Sequence, residues 1–323
     1  MSNAGKFWLC LLIALVGCST APHRDEHQRA GDWRAEEPVP EVVQVPESPR
    51  LAPPPGTAPS LAHTNGFGET WLPLKRWSNE NGFGPLRRTA TASSPAFALK
   101  TPNGILALQA DSTVAAWRGL ELHLGFAPRL IGGQPFVHTL DLMKNIKPLL
   151  NGCTLPANTN RVIVIDPGHG GQNTGTKSVA NNVDEKELTL DWARRLATLL
   201  ATNGWQVFLT RTNDVDVGLS NRVAFAEQHK ADLFLSLHFN AATSREQAGL
   251  ETYCLTPTGM PSTLTRGYDD GLSLVFPNNA FDAENLAYAL RLHRALLQVK
   301  GTVDHGVRRA RFLGVLRGQN RPA

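Results

Sequence analysis

The stretch RVIVIDPGHGG, residues 161–171, restricts the fold more than any other part of this sequence. Its run of β-branched residues shows no in–out alternation, which marks a strand buried on both faces. Such a strand calls for parallel neighbours and for helices above and below it. The run stops abruptly at Asp166-Pro167-Gly168 and leaves His169 in a glycine-flanked turn. Glycine there permits close backbone approach and unusual φ values. Sites in open parallel sheets form beyond the carboxyl ends of the strands, so His169 is a candidate site residue.

The rest of the chain from Arg161 alternates in the same style. EKELTLDWARRLATLLATNG reads as a helix closed by Gly204, WQVFLTR as a strand, SNRVAFAEQHK as a helix and ADLFLSLHFN as a strand. GLETYCL is a further strand, AENLAYALRLHRALLQV a helix and RFLGVLRG a last strand. The expected fold is a three-layer α/β/α domain with a mostly parallel sheet, over residues 160–323. Residues 256–282 fall between strand and helix, and a loop of that length is read as a substrate-side loop or lid.

Three residues share one chemistry. His169, Glu185 in VDEKELTL and His238 in SLHFNA offer two imidazoles and a carboxylate, the ligand set of hydrolytic zinc sites that keep one position for water. Asp184 suits the N-cap of the following helix, and Glu187 then falls where a capping box would employ it. That leaves Glu185 as the favoured ligand of the two glutamates.

Upstream the character changes. Lys6 precedes FWLCLLIALVG, too short to span a bilayer but shaped like a secretory signal. It ends in Leu15-Val16-Gly17-Cys18, which resembles a bacterial lipobox. Residues 1–18 are thus read as a lipoprotein signal, with lipid on Cys18 anchoring the chain to a membrane. Ser19 resembles the sorting pattern of a periplasm-facing outer membrane. Residues 19–64 are rich in Pro, Glu, Ala and Ser and read as a disordered tether. Residues 65–152 hold short apolar runs such as GILALQA and STVAAWRG, the spacing of a small β-rich domain, with a short helix in WLPLKRWSNENGF. His123 and His138 read as ordinary strand histidines. The net charge of +4 suits anionic surfaces without choosing one. Export permits a disulfide between Cys153 and Cys254, and the sequence leaves their meeting open.

VIVIDPGHGG…EKELTLDWARRLATLLATNGWQVFLTR…SNRVAFAEQHKADLFLSLHFNAA resembles the zinc-dependent N-acetylmuramoyl-L-alanine amidases of the Amidase_3 type, from about Arg161 to the end. NG…LGFAPRLIGGQPFVHTLDL resembles the small domain named after the N-terminal part of copper amine oxidases. The first resemblance implies Zn2+ held by His169, Glu185 and His238. It also implies peptidoglycan as substrate, cut between N-acetylmuramic acid and L-alanine, with an activator protein as a possible partner and no nucleic acid.

The family's catalytic glutamate would follow GVRRARFLGVLRGQNRPA, beyond Ala323, and Glu251 and Glu284 do not sit at its motif. Either the chain is a piece of a longer product, or it is a short form that binds zinc and wall but hydrolyses poorly. A non-catalytic wall-binding lipoprotein and a zinc carboxypeptidase acting on the stem peptide are the rival readings. Arg308, Arg309 and Arg311 are candidates to meet the anionic stem peptide, or to be a solvated strand entry.

Overall fold

The computed structural model describes residues 63–64, 70–89, 95–152, 160–178, 182–240, 248–265, 270–311 and 314–323. The signal with Cys18, most of the expected tether, and Cys153 lie outside these residues. Cys254 is buried and has no disulfide partner among the described residues.

Two sheets are built from the front of the chain. His63–Thr64 (β1), Thr70–Pro73 (β2), Arg129–Ile131 (β8) and Gln134–His138 (β9) form a four-stranded antiparallel sheet, ordered β1-β2-β9-β8. Pairing therefore begins at His63, just inside the expected tether. Leu74–Glu80 (α1) follows β2. Leu86–Arg88 (β3), Ala96–Thr101 (β4), Gly104–Gln109 (β5), Val114–Trp117 (β6) and Leu120–His123 (β7) make an antiparallel meander. Alternation decides which face is buried. Phe97, Leu99, Leu106, Leu108, Ala115, Trp117, Leu120 and Leu122 point inward. QPFVHTLDL is strand only to His138; Thr139–Asp141 (α2) and Lys147–Leu150 (α3) then flank a π-helical turn at Leu142–Ile146.

The second half holds the expected parallel strands. Val162–Pro167 (β10) lies between Gln206–Leu209 (β11) and Leu233–Leu237 (β12), parallel to both. Glu185–Thr202 (α4) covers one face through Ala193, Trp192 and Leu196 against Ile163, Ile165 and Leu237. Leu219–Gln228 (α5) and Gly314–Arg317 (α7) cover the other, with Ala226, Val315 and Leu316 against Val162, Val164 and Phe234. All six residues of β10 are buried. The three layers are those expected, and the final residues run beside β12, where Phe234 N–H donates to the Pro322 carbonyl at 3.0 Å.

Leu250–Leu255 (β13) and Asp304–Ala310 (β14) pair in parallel but join the front meander, giving the order β13-β14-β7-β6-β5-β4-β3. The link is the parallel pair Val307↔Leu122. Asp282–Leu296 (α6) packs beneath, so Cys254, Leu286, Leu290 and Val307 share one core with Leu99, Leu122, Val137 and Leu149. The boundary in sequence near residues 152–160 is not a boundary in this sheet.

One element differs from its sequence reading. The last strand is not RFLGVLRG but DHGVRRA, and residues 314–317 are helical. Arginines disguise the strand. Arg309 is 1% exposed and donates to the Leu255 and Lys144 carbonyls and to Asn145 Oδ1. Arg311 is 2% exposed and binds Asp270 and the Pro257 and Met260 carbonyls. Both are internal ties, which removes them as contacts for a substrate.

The 256–282 segment is likewise docked rather than lid-like where it is described. Met260 is fully buried against Gly125, whose missing Cβ would stand 2.3 Å from Met260 Cγ. Ser262 is bound to Asp270 through both its N–H and hydroxyl. Pro277–Phe281 forms a 3-10 turn.

Asp141 lies under this contact. It accepts from Gly125 N–H, Phe126 N–H and Asn145 Nδ2. Burial raises its pKa to about 6 against the lowering effect of those bonds and of Arg309. The native state therefore holds a proton that the unfolded chain has lost between pH 3.8 and about 6. Stability from this group is present below that window and lost as pH rises through it, by about 3 kcal/mol. Denaturant titrations of the parent and Asp141→Asn should show the parent's relative stability falling across that window; parallel curves would contradict the assignment.

Candidate metal centre

β10 and β12 deliver their last residues to the same level, because Pro167 is in register with Leu237. Gly168 N–H then donates to the Leu237 carbonyl at 3.0 Å, and the next side chains on the two strands, His169 and His238, leave together. Their rings meet edge to face with centroids 4.8 Å apart. A Cβ on Gly168 would lie 2.3 Å from His238 Cε1, so only glycine lets the His238 ring rest over this turn.

Glu185 opens α4 from the third side. Asp184 occupies the N-cap position but makes no side-chain capping bond; its carboxylate pairs with Lys177 instead. The capping box expected of Glu187 is therefore absent, and Glu187 is exposed, whereas Glu185 is 3% exposed. Burial, not capping, separates the two glutamates. Gly175, at φ +68°, gives room beside the carboxylate: a Cβ there would be 2.6 Å from both Glu185 Oε2 and His169 Cδ2.

The three side chains converge. His169 Nε2 is 3.1 Å from Glu185 Oε2, His238 Nδ1 is 3.1 Å from Glu185 Oε1, and the two ring nitrogens are 3.2 Å apart. One ligand atom from each lies within 4.8 Å of the others. Two imidazoles and a carboxylate this close call for positive charge between them, from a ring proton or from a metal ion. Ligands on a tetrahedral ion with bonds near 2.0–2.1 Å stand about 3.3 Å apart, so the spacing fits such an ion.

Supporting bonds settle how each group presents itself. Asn173 Oδ1 sits 2.8 Å from His169 Nδ1, an acceptor that places the proton there and turns the Nε2 lone pair inward. Glu185 accepts from Phe239 N–H at 2.7 Å and Thr176 N–H at 2.9 Å. Burial alone would raise its pKa, but the bonds from His169, His238 and Thr176 outweigh it and hold Glu185 well below the ordinary carboxylate range. For His169 burial disfavours the charged form, yet hydrogen bonding and attraction to Glu185 prevail and raise its pKa. His238 has 45% of its side chain exposed, against 20% and 3% for His169 and Glu185, so the centre opens on its side.

Residues not singled out from sequence surround this turn. Asp166, Arg211 and Arg222 are buried beneath it. Lys186 Nζ bridges the Gly171 carbonyl and Asp214 at 2.8 and 2.7 Å. Their only signal was membership of the stretch carrying the family likeness.

The other candidates are not among the three converging side chains. His123 pairs with Glu121, and His138 Nδ1 accepts from Leu140 N–H. Glu284 is in the first turn of α6. Glu251 is engaged by Tyr253, Asn240 and Arg308.

An α/β/α domain with two histidines beyond the ends of adjacent parallel strands and a glutamate opening the facing helix is the class defined by this geometry. Residues 163–323 match the Amidase_3 model, described as N-acetylmuramoyl-L-alanine amidase, and this part of the chain belongs to that family. The amidase AmiC of Escherichia coli O6:H1 is 37% identical over 131 residues, 39% of this chain and 31% of that protein. The sporulation-specific amidase of Bacillus subtilis is 32% identical over 163 residues, 50% of this chain and 52% of its own length. The chain thus spans less than two-thirds of these relatives. The solved catalytic domain of CwlV from Paenibacillus polymyxa is 28% identical, with 50% of this chain and 76% of that one aligned at a TM-score of 0.38.

If Gly168 exists to admit the His238 ring, Gly168→Ala should leave a folded chain that binds zinc about tenfold or more weaker, by competition with a chromophoric chelator. Affinity equal to the parent's would remove that role.

Proposed function

We propose that the chain hydrolyses the amide between N-acetylmuramic acid and L-alanine in peptidoglycan, with Zn2+ held by His169, Glu185 and His238. The observation that carries this reading is the convergence of those three ligand atoms within 4.8 Å, inside a segment belonging to the amidase family. When bound, zinc polarises the scissile carbonyl and lowers the pKa of a water toward 7.

The chain's own groups do the rest. Asn173 holds His169 in the tautomer whose Nε2 is free to ligate. The backbone N–H groups of Thr176 and Phe239 keep Glu185 ionised and aimed at both imidazoles. The exposed edge at His238 is the side from which a polymer would reach the centre. A carboxylate base must carry the water's proton to the leaving amine. Lipidation at Cys18 and a tether over residues 19–64 would hold the enzyme at a membrane facing the wall; the sequence pattern supports that part.

The gene product purified from its own envelope should carry about one zinc per chain. It should release free stem peptide from sacculi, in a reaction stopped by chelator and restored by zinc. Alanine at His169, Glu185 or His238 should weaken zinc binding by more than the roughly 10- to 100-fold expected from losing a supporting bond. Loss of terminal D-alanine alone, or binding of sacculi without release, would replace this reading with one of its rivals.

A further inference from the structure

His169 carries an uncomfortable backbone. Its φ is +62°, in the left-handed region, which a residue with a Cβ adopts only against steric strain. Such a conformation persists only where its surroundings over-determine it.

The surroundings are two guanidiniums. Arg222, from α5, donates through Nε to the Val217 carbonyl at 2.8 Å and through Nη1 to the Pro167 carbonyl at 3.1 Å. Its Nη1 also meets the Asp166 carboxylate, and its Nη2 reaches the His169 carbonyl at 2.9 Å. Arg211, just past β11, donates to the Pro167 and Gly168 carbonyls, both at 2.9 Å, and to the Lys186 carbonyl at 2.8 Å. Three successive carbonyls, 167 to 169, are thus drawn onto two buried cations beneath the turn. Asp166 is itself fixed by Thr210 and by Ser236 at 2.8 Å.

A buried ion pair adds little net stability compared with apolar residues of the same volume. Here the donors converge on one turn, and that turn holds the strained residue.

We propose that the Asp166–Arg222 pair, with Arg211, is a positioning device for the metal centre. It locks the His169 backbone left-handed, so that Nε2 stands 3.2 Å from His238 Nδ1 before any ion arrives. The proposal rests on the zinc reading for its consequence, but the preorganisation it asserts belongs to the metal-free chain.

The test uses the full chain. Asp166→Leu combined with Arg222→Met removes both charges together, and Arg222→Lys keeps a cation but loses the planar fork. Zinc affinity should fall about 10- to 100-fold in both variants. The metal-free melting temperature of the double variant should stay within a few degrees of the parent, and the absorption bands of the cobalt(II)-loaded chain should shift. Backbone NMR of the metal-free chain should show the positive φ of His169 in the parent, through its HN–Hα coupling and its Cα and Cβ shifts, and the loss of that φ in the variants. A folded variant with parental zinc affinity, or with that φ intact, overturns the proposal. If the double variant does not fold, Arg222→Lys decides on the same two readouts. A parent that takes up no zinc defeats the zinc reading instead, and the φ measurement still judges the positioning device.

Discussion

The parallel register of β10 with β12 is the constraint on which the centre depends. Because Pro167 stands opposite Leu237, the histidines that follow leave the sheet side by side. A shift of one residue would carry one imidazole to the other face of its strand. The register is itself held by packing: Ile163, Ile165 and Leu237 lie under α4, while Val162, Val164 and Phe234 lie under α5 and α7. Each buried aliphatic side chain of this kind contributes roughly 1.5–3 kcal/mol. The chemistry at the strand ends therefore draws its precision from apolar contacts on both sides of β10.

Glycine supplies what the register cannot. Gly168 and Gly175 leave room for the His238 ring and the Glu185 carboxylate, where any side chain would collide with one of those groups. The site is made as much by missing atoms as by the three converging side chains. Around it, acceptors and donors are matched one by one: Asn173 to His169, and Thr176 and Phe239 to Glu185.

Much of this was legible in the sequence. An unbroken apolar run ending in DPGHGG pointed to a doubly covered strand and a histidine at its tip, and both are present. His169, Glu185 and His238 do meet. Glu185 was separated from Glu187 by a capping argument that the structure does not use; burial of one and exposure of the other does the work. What stayed hidden were charged residues in the interior. Arg309 and Arg311 made DHGVRRA look like a solvated segment, and Arg211 and Arg222 looked like ordinary surface charge. Sequence pattern equates charge with water, and here the partners are backbone carbonyls supplied by distant elements. The docking of β13 and β14 onto the front meander was equally unreadable, since strand order between sheets leaves no local trace.

That docking has a practical meaning for anyone who would cut the chain at its apparent seam. Excising everything before residue 160 would strip Val307, Leu286 and Leu290 of the partners they have in Leu122 and Leu149. It would also unseat Met260 from Gly125. The isolated remainder would present a greasy flank to water and be prone to clump, so the front half serves the back half as its missing wall.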